Sequence, residues 1–428
     1  MSAQSVVVES RLPRHAVFGA AVRETPGGLT VNRVLSDSPA SRAGLRAGDV
    51  ITAIAGTAVQ SSVAFVESVR TIPAGRTIAV SVRRGTQALS LAAVLVAAPD
   101  ENDPLVETLY QTVTVGGTLR RTLVTVPIGQ QREETARRPA VLFIGGIGCF
   151  SVDVAANPED AYLRLAHDLS RAGFVTLRLE KSGVGDSRGP PCPTVDYTAE
   201  AASYDVALEA LRREPSVDAG KVYLFGHSIG SIIAPRMAAR EPVAGVILAE
   251  GVGRNWIEYE LANLRRQLVL SGSTPSEVDA NLLDKEWCMH RLLVERVSEV
   301  ELERSGHSCA THNAYPAPSA YFQELVGLNI AEAWMKLDAP VLVVYGTSDF
   351  ITAEEDHRRI ADIVNGVHPS RAEFHSIAGM DHYLDVAPSQ RASMDRVNRG
   401  GPARYNDEFT RVVLGWLCKR EHCRSSSS

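Results

Sequence analysis

Short apolar runs separated by glycine and proline turns fill residues 14–98. Four of these runs, HAVFGAAV, GLTVNRV, TIAVSVRRG and SLAAVLVA, are rich in β-branched residues and have the length of strands. Between the second and third runs, Ser38 and Pro39 are residue types that begin a helix, and Gly44 is the type that ends one. A second helix is predicted from Ser62 to Arg70. The pattern therefore predicts a small β-rich domain that is mostly antiparallel.

A different pattern begins at residue 105. Two runs that predict an antiparallel pair, TLYQTVTV and LRRTLVTVP, are followed by six apolar runs that alternate with helical periods. Buried parallel strands are apolar on both faces, as these six runs are, and the intervening helices cover such a sheet. The six runs are AVLFIGG, FVTLRLE, KVYLFGH, AGVILAEG, VLVVYGTSD and AEFHSIAG. We therefore predict an α/β fold with a mostly parallel sheet.

A helical insertion separates the fourth and fifth of these runs and spans about 252–336. It is too long for a simple crossover, and it predicts a cap over the carboxyl ends of the strands, where ligands of open α/β sheets bind. The polar, turn-rich stretch 99–104 predicts a linker. The predicted organisation is a first domain at 1–98, this linker, and an α/β domain at 105–424 that contains the cap.

Composition and charge narrow the range of partners. The chain has 428 residues, of which 45% are hydrophobic and 22% charged, and its formal net charge is −6. Because the sequence has neither a Lys/Arg-rich run nor an apolar stretch of membrane-spanning length, we expect no nucleic acid and no membrane as partners. The first residues lack the pattern of a secretory signal, and the six widely spaced cysteines are typical of reduced thiols. These features predict a cytoplasmic protein.

The segment GHSIG at 226–230 follows the strand pattern KVYLF and precedes the helical pattern SIIAPRMAAR. A serine between a strand and a helix, with a glycine two residues to each side, is typical of a nucleophile elbow. The glycines leave room for a sharp turn that exposes the hydroxyl near a helix N-terminus, where developing negative charge is favoured. Ser228 is therefore the predicted nucleophile.

A serine hydroxyl needs a base to take its proton, and the base needs an acid to orient it. Asp349 ends the run VLVVYGTSD, and His382 lies in the loop after the next run, so the chain order is serine, acid, histidine. We predict that His382 is the base and Asp349 its acid, with Glu250, at the end of AGVILAEG, as the alternative acid. His375, inside a predicted strand, and His357, inside a predicted helix, are predicted to be structural. His227 is predicted to point elsewhere on the elbow, Asp381 to be unable to bend back to His382, and Asp385 to belong to the following turn.

A tetrahedral intermediate needs two N–H donors for its oxyanion. The first is predicted to be the backbone N–H of Ile229, which directly follows the nucleophile. The second is predicted to be the backbone N–H of Ile147, in the glycine-rich loop after AVLFI. Hydrolases commonly have a His-Gly pair in this loop, and here Gly145 replaces the histidine.

The string SPASRAGLRAGDVITAIAGTAV at 38–59 resembles the core of a PDZ domain of the kind attached to bacterial HtrA-like proteases. The resemblance covers about 85 residues. It implies that the loop Val17-Phe18-Gly19 binds the C-terminal carboxylate of a peptide or protein through backbone N–H groups, and that the neighbouring strand edge accepts an added strand. The alternative is a PDZ-shaped domain that only packs within its own chain.

The strings AVLFIGGIG, KVYLFGHSIGSIIAPRMA, VLVVYGTSDF and GMDHY together resemble the α/β-hydrolase superfamily, and within it bacterial carboxylesterases akin to acyl-peptide and dipeptidyl peptidases. The resemblance implies an α/β-hydrolase fold and a serine esterase that cleaves a carboxylic ester or thioester through an acyl-enzyme. It implies no cofactor. One departure is Glu180, because the relatives usually have aspartate at this turn beside the site.

Two other functions remain open. The chain is alternatively a peptidase, amidase, acyltransferase or cyclase to which the PDZ-like domain brings a peptide, or it is an inactive binding scaffold. Several aromatic residues of the cap favour an apolar pocket for a small acyl substrate: Trp256, Tyr259, Trp287, Tyr315, Tyr321 and Trp334. Five metal-ligand types also lie there, in a spacing that matches no standard zinc pattern, so no metal is predicted: Cys288, His290, His307, Cys309 and His312.

Overall fold

The computed structural model describes residues 12–128, 137–309, 315–421 and 423. Residues 1–11 and His312, which enter the sequence analysis, lie outside these ranges. The chain divides between Asp100 and Glu101 into two compact units. We describe each unit by itself.

The first unit, Leu12–Asp100, is built around an antiparallel sheet in the strand order β2-β3-β4-β6-β7, with β5 beside β4 and with β1 paired to β8. This is the β-rich, mostly antiparallel domain that the sequence predicts. The elements are β1 (Ala16–Val17), β2 (Ala20–Thr25), β3 (Gly28–Val34), α1 (Pro39–Arg42), β4 (Val50–Ile54), β5 (Thr57–Ala58), α2 (Ser62–Arg70), β6 (Thr77–Arg84), β7 (Gln87–Val94) and β8 (Val96–Ala97).

Both helices of this unit begin where the sequence predicts, and the reason is local. The Ser38 hydroxyl accepts the backbone N–H of Ser41, which is a donor that the first turn of α1 leaves unpaired. Pro39 follows at the first helical position, where a missing N–H costs nothing. The second helix, α2, spans the predicted residues and buries Phe65 against Phe18. The predictions for α1 and α2 are therefore confirmed.

The second unit begins at Glu101, and its elements alternate between strand and helix as predicted. They are β9 (Val106–Val115), β10 (Thr118–Pro127), β11 (Arg138–Ile144), α3 (Ala161–Arg171), β12 (Val175–Leu179), α4 (Tyr197–Arg213), β13 (Val217–His227), α5 (Gly230–Ala238), β14 (Gly245–Ala249), α6 (Trp256–Ser271), α7 (Pro275–Met289), α8 (Glu299–Arg304), α9 (Ser319–Val326), α10 (Ile330–Met335), β15 (Val341–Gly346), α11 (Glu354–Val367), β16 (Ala372–Ile377), α12 (Gln390–Arg399) and α13 (Asp407–Glu421).

The eight strands of this unit form one sheet in the order β16-β15-β14-β13-β11-β12-β10-β9. Strands β11 to β16 pair in parallel, whereas β9 and β10 are antiparallel. The central strands are buried along their whole length, and a separate apolar cluster covers each face. The carboxyl ends of the parallel strands therefore meet at one edge, which is where ligands of such sheets bind.

The predicted cap is helical. Helices α6 to α10 lie between β14 and β15, and a short π-helical segment, His290–Val294, continues α7. The first of these helices, α6, begins at Trp256 behind the cap residue Asn255, whose side chain accepts the N–H of Glu258. The long insertion thus adds helices and no further strand among its described residues.

The prediction of reduced thiols is wrong. The structure pairs the six cysteines as Cys149–Cys192, Cys288–Cys309 and Cys418–Cys423. Structural disulfides are typical of oxidising compartments, so the cysteines no longer support a cytoplasmic location. The sequence could not indicate this pairing, because cysteine spacing alone does not fix which partners meet.

Part of the predicted linker is held firmly in the second unit. The Glu101 carboxylate accepts two hydrogen bonds from Arg178, at 2.8 and 2.7 Å, and lies 3.0 Å from His167 Nε2. The side chains of Glu101 and Arg178 are 1% and 0% exposed. Burial opposes ionisation of Glu101, but the charge of Arg178 and the hydrogen bonds outweigh it and lower the pKa to about 2.

In the ranges that the structure describes, no helix combines the length and the apolar character that a membrane span requires.

We predict that Glu101→Gln lowers the free energy of unfolding by about 3–5 kcal/mol at pH 7, because it leaves the buried Arg178 charge without its counter-ion. The folded-state pKa is depressed, so this stabilisation is complete above the ordinary pKa of 4.5 and is lost as the pH falls toward 2. Urea unfolding at pH 7, 4.5 and 3 measures the difference. The exposed Glu107→Gln is the control and should change stability by less than about 0.5 kcal/mol. Equal effects of the two variants would contradict the prediction.

Candidate active site

The predicted nucleophile lies on a strained turn between β13 and α5. Ser228 has φ +55°, in the left-handed region that side chains other than glycine rarely adopt. A Cβ atom at Gly226 would lie 2.6 Å from the carbonyl oxygen of Gly230, and one at Gly230 would lie 2.3 Å from that of Ile144. Only glycine fits at positions 226 and 230, two residues to each side of Ser228, which explains the G-x-S-x-G spacing.

The structure brings Ser228, His382 and Asp349 together in one chain of hydrogen bonds. His382 Nε2 lies 3.1 Å from Ser228 Oγ, and His382 Nδ1 lies 2.9 Å from Asp349 Oδ2. All three residues are buried, Asp349 completely. Because Nδ1 donates to the carboxylate, Nε2 has its lone pair free to accept the serine proton.

Asp349 is held ionised despite its burial. Its Oδ1 accepts the backbone N–H groups of Ile351 and Thr352, at 2.6 and 3.0 Å, and its Oδ2 accepts the Thr352 hydroxyl as well as His382. Burial raises the pKa, but the His382 charge and these hydrogen bonds outweigh it and hold the pKa of Asp349 below its usual range. The loop after β15 therefore supplies a fixed anion.

The alternative acid, Glu250, does not contact His382. It follows β14, is completely buried, and accepts the backbone N–H of Gly346 on Oε1 at 2.7 Å. The other histidines and acids that are not assigned to the triad have partners elsewhere: His357 accepts the N–H of Gly251, His375 lies 3.9 Å from Glu373, and Asp381 and Asp385 pair with Arg396.

A second network, which the sequence analysis missed, joins the loop after β11 to the backbone of His382. The N–H of Gly146 donates to the Tyr162 hydroxyl (3.1 Å), and this hydroxyl lies 2.7 Å from His227 Nδ1. His227 Nε2 lies 2.7 Å from the carbonyl oxygen of His382 and must donate to it, so Nδ1 accepts from Tyr162. Burial and the neighbouring His382 lower the pKa of His227 to about 3, which keeps it neutral.

The glycine-rich loop that carries Ile147 is held on each side of this residue, at Gly146 and at Cys149. Lys181 Nζ donates to the carbonyl oxygen of Gly146 at 2.7 Å, and Cys149 is joined to Cys192. Ile147 packs against the apolar cluster that contains Ile229. For the described residues, the structure records no protein acceptor for the N–H of Ile147 or of Ile229. Both amides are therefore available to an oxyanion.

The predicted cap aromatics divide into an inner and an outer group. Trp256 and Tyr315 have ring centroids 6.0 Å apart, and both contact Phe322. Glu260 accepts hydrogen bonds from the Tyr315 hydroxyl (2.8 Å) and from Lys285 Nζ (2.6 Å). Tyr259, Tyr321 and Trp334 are also buried, whereas Trp287 is 41% exposed.

The metal-ligand types of the cap have other partners. Cys288, His307 and Cys309 place their ligand atoms within 4.8 Å of one another, but the two cysteines form a disulfide. His307 Nε2 lies 2.8 Å from Asp284 Oδ1, and His290 pairs with Glu295.

In the first unit, the predicted carboxylate-binding loop 17–19 joins β1 to β2. The carbonyl of Phe18 accepts the N–H of Ala40 (2.8 Å), that of Gly19 accepts the N–H of Leu35 (2.9 Å), and Gly19 has φ +84°. Within the described ranges, no acceptor is recorded for the N–H groups of Phe18 and Gly19. Strand β2 lies at the sheet edge, and α2 packs beside it. The open edge of β2 therefore lies beside α2 in this unit.

Comparison with known curated proteins supports both resemblances. Over 219 residues, 51% of this chain, the sequence is 26% identical to the esterase EstD of Thermotoga maritima and covers 48% of it. Over 64 residues, 15% of this chain, it is 47% identical to the mitochondrial serine protease HTRA2 of Bos taurus and covers 13% of that protein. The chain thus spans half or less of the length of these relatives.

Among solved structures, Est1E of Butyrivibrio proteoclasticus with ferulic acid is 13% identical, with a TM-score of 0.46, 73% of this chain covered and 99% of that chain. The DcsB complex with its substrate analogue is 16% identical, with a TM-score of 0.45 and coverages of 74% and 98%.

Each of the two predicted domains matches a known family model. A PDZ domain model matches residues 16–107, and an α/β hydrolase family model matches residues 141–394, more than half of the chain. The predicted fold class is therefore confirmed: the chain belongs to the α/β hydrolase family and carries an N-terminal PDZ domain.

Proposed function

We propose that the chain is a serine esterase that hydrolyses a carboxylic ester or thioester of a small acyl substrate through an acyl-enzyme. The observation that carries this proposal is the position of the His382 ring, with Nε2 3.1 Å from Ser228 Oγ and Nδ1 2.9 Å from Asp349. Membership of the α/β hydrolase family and the similarity to an esterase support the reaction class.

In the first half-reaction, Ser228 Oγ attacks the carbonyl carbon of the substrate while His382 Nε2 takes the hydroxyl proton. The carbonyl electrons move onto oxygen, and the amides of Ile147 and Ile229 donate to the resulting oxyanion. When the intermediate collapses, the bond to the leaving group breaks and His382 returns the proton to the departing alcohol or thiol. Asp349 holds the imidazole in the tautomer that both transfers require.

In the second half-reaction, water takes the place of the leaving group. His382 removes a proton from the water as its oxygen attacks the acyl carbon, and the second intermediate releases the carboxylic acid and restores Ser228. The inner cap aromatics, Trp256, Tyr315 and Phe322, belong to the same apolar cluster as Ile229, the residue after the nucleophile, which supports an apolar environment for the acyl group.

The disulfide Cys149–Cys192 has a direct role in this scheme, because Cys149 lies two residues after the proposed oxyanion donor Ile147. An oxyanion donor is effective only when it is fixed before the reaction begins. The disulfide and the bond from Lys181 to the Gly146 carbonyl together restrict this loop.

A second candidate function uses the PDZ domain. The edge strand β2, helix α2 and the free amides of Phe18 and Gly19 form the elements that capture a peptide C-terminus by strand addition. In this form of the proposal, Ser228 acts on, or transfers an acyl group to, a peptide or protein that the domain recruits.

The central test is Ser228→Ala. We expect a fluorophosphonate probe to label the wild-type protein and not the variant, and turnover of p-nitrophenyl esters to fall by at least about 10⁴-fold, because the attacking oxygen is removed. Ser305→Ala, at an exposed cap position, is the control and should be labelled like wild type. Labelling of Ser228→Ala, or a folded wild-type protein without turnover across an acyl-ester panel, would contradict the proposal.

The role of the first disulfide is tested by Cys149→Ser combined with Cys192→Ser. We expect kcat to fall between about 10-fold and 100-fold, because a loosened loop presents the Ile147 amide less often in the required position. The matched control is Cys418→Ser with Cys423→Ser, which removes the disulfide of the last helix. Steady-state kinetics measure kcat for both double variants, and circular dichroism verifies that each is folded. A similar kcat for the two variants would show that the loop does not need its disulfide.

Recruitment by the PDZ domain is tested by fluorescence anisotropy with a library of labelled C-terminal peptides, each paired with its C-terminal amide. We expect binding of free-carboxylate peptides and at least about tenfold weaker binding of the amides, because the loop amides donate to a carboxylate. Equal affinity for the two forms, or no binding by any peptide, would rule out this mode of recruitment.

A further inference from the structure

Glu250 directly follows β14, the strand that lies between the two strands leading to the proposed nucleophile and acid. Strand β14 pairs with β13 on one side and with β15 on the other. The N–H of Ser228 donates to the carbonyl of Ala249, and Glu250 itself has φ +49°, close to the strained value of Ser228. The residues that follow the neighbouring strands β13 and β14, Ser228 and Glu250, therefore have the same rare backbone conformation.

The Glu250 carboxyl group is completely buried, and only one of its oxygens has a donor. Oε1 accepts the N–H of Gly346, the last residue of β15. Oε2 has no hydrogen-bond donor among the described residues. The carboxyl groups of Glu250 and Asp349 lie side by side, and each acts on the pKa of the other through its charge and a shared hydrogen bond. Two ionised carboxylates cannot share a hydrogen bond, since neither has a proton to donate.

The nearest histidine cannot supply the missing proton. His357 Nε2 lies 4.0 Å from Glu250 Oε2, but that nitrogen accepts the N–H of Gly251, and Nδ1 donates to the carbonyl of Ala353. Burial lowers the pKa of His357 to about 4, so the ring stays neutral. The remaining titratable neighbours are the negative Asp349, Asp381, which pairs with Arg396, and the phenol of Tyr345.

We infer that Glu250 is a protonated positioning residue that donates its carboxyl O–H to the Asp349 carboxylate, so that the site is a Ser–His–Asp chain extended by a neutral acid. The proton satisfies the otherwise unpaired oxygen, and the Gly346 bond fixes the loop that carries Asp349. This inference rests on the proposed function for its kinetic consequences.

The electrostatics agree with this geometry. Burial, the charge of Asp349 and the shared hydrogen bond all raise the pKa of Glu250 well above its usual range. When two carboxyl groups share one site, the group with better donors stays ionised and the other keeps its proton. Asp349 has His382, Thr352 and a backbone N–H pair as donors, whereas Glu250 has one backbone N–H.

The kinetic test compares Glu250→Ala with Glu250→Gln. Removing the donor in Glu250→Ala should lower kcat between about 10-fold and 100-fold with KM changed less than about twofold, because Asp349 no longer holds His382 in place.

Glu250→Gln restores an N–H donor and an acceptor without charge, so it should rescue most of kcat and keep the acid limb of the pH profile of kcat/KM. If Glu250 were ionised, Glu250→Gln would remove a negative charge and shift that limb to lower pH, which would overturn the inference. Failure of Glu250→Gln to rescue would also do so.

A second measurement does not depend on activity. The infrared difference spectrum between wild type and Glu250→Gln at pH 7 should contain the carbonyl stretch of a protonated carboxylic acid. Loss of carboxylate bands instead would show that Glu250 is ionised. If the wild-type protein hydrolyses no ester and takes no fluorophosphonate label, the proposed function fails, whereas the spectrum still decides the protonation state of Glu250. If wild type is active and the spectrum lacks the acid band, only the inference about Glu250 fails.

Discussion

The buried hydrogen bond between Asp349 and His382 is the interaction on which the arrangement of the site depends. An isolated carboxylate in a protein interior would take up a proton, and a neutral acid would leave His382 without a fixed tautomer. The loop after β15 prevents this by directing two backbone N–H groups and the Thr352 hydroxyl at the carboxylate. The parallel sheet brings the three residues together, because the loops that carry Ser228, Asp349 and His382 follow strands whose carboxyl ends lie at the same edge.

The parts of the molecule that the sequence predicts well are those that repeat or that depend on local chemistry. Continuous apolar runs predict the buried parallel strands, and the cap residue Ser38 predicts the start of α1. Ser228 is recognisable because the two glycines are required by close backbone approaches within the same turn. Asp349 and His382 follow from chain order and strand ends, since those two facts together fix which loops converge.

What the sequence could not predict are contacts between distant segments whose residue types are unremarkable. Tyr162 is 65 residues from His227, and nothing in the helix that carries it distinguishes it from a core tyrosine. Glu101 lies in a stretch that has the composition of a linker, yet its partner Arg178 is on β12. The cysteine pairs fall in the same class, because spacing does not determine disulfide partners and the sparse distribution suggested free thiols.

The site also shows how a low-dielectric interior limits the number of charges. Close to the Asp349 anion, His227 and His357 are neutral because burial lowers the pKa of each. A second anion at Glu250 would repel the Asp349 carboxylate, on which the orientation of His382 depends. An apolar residue at 250 would avoid the second charge but would leave the Gly346 N–H and one side of Asp349 without a partner. A neutral acid is the side chain that meets both requirements, because it donates one hydrogen bond, accepts another and adds no charge.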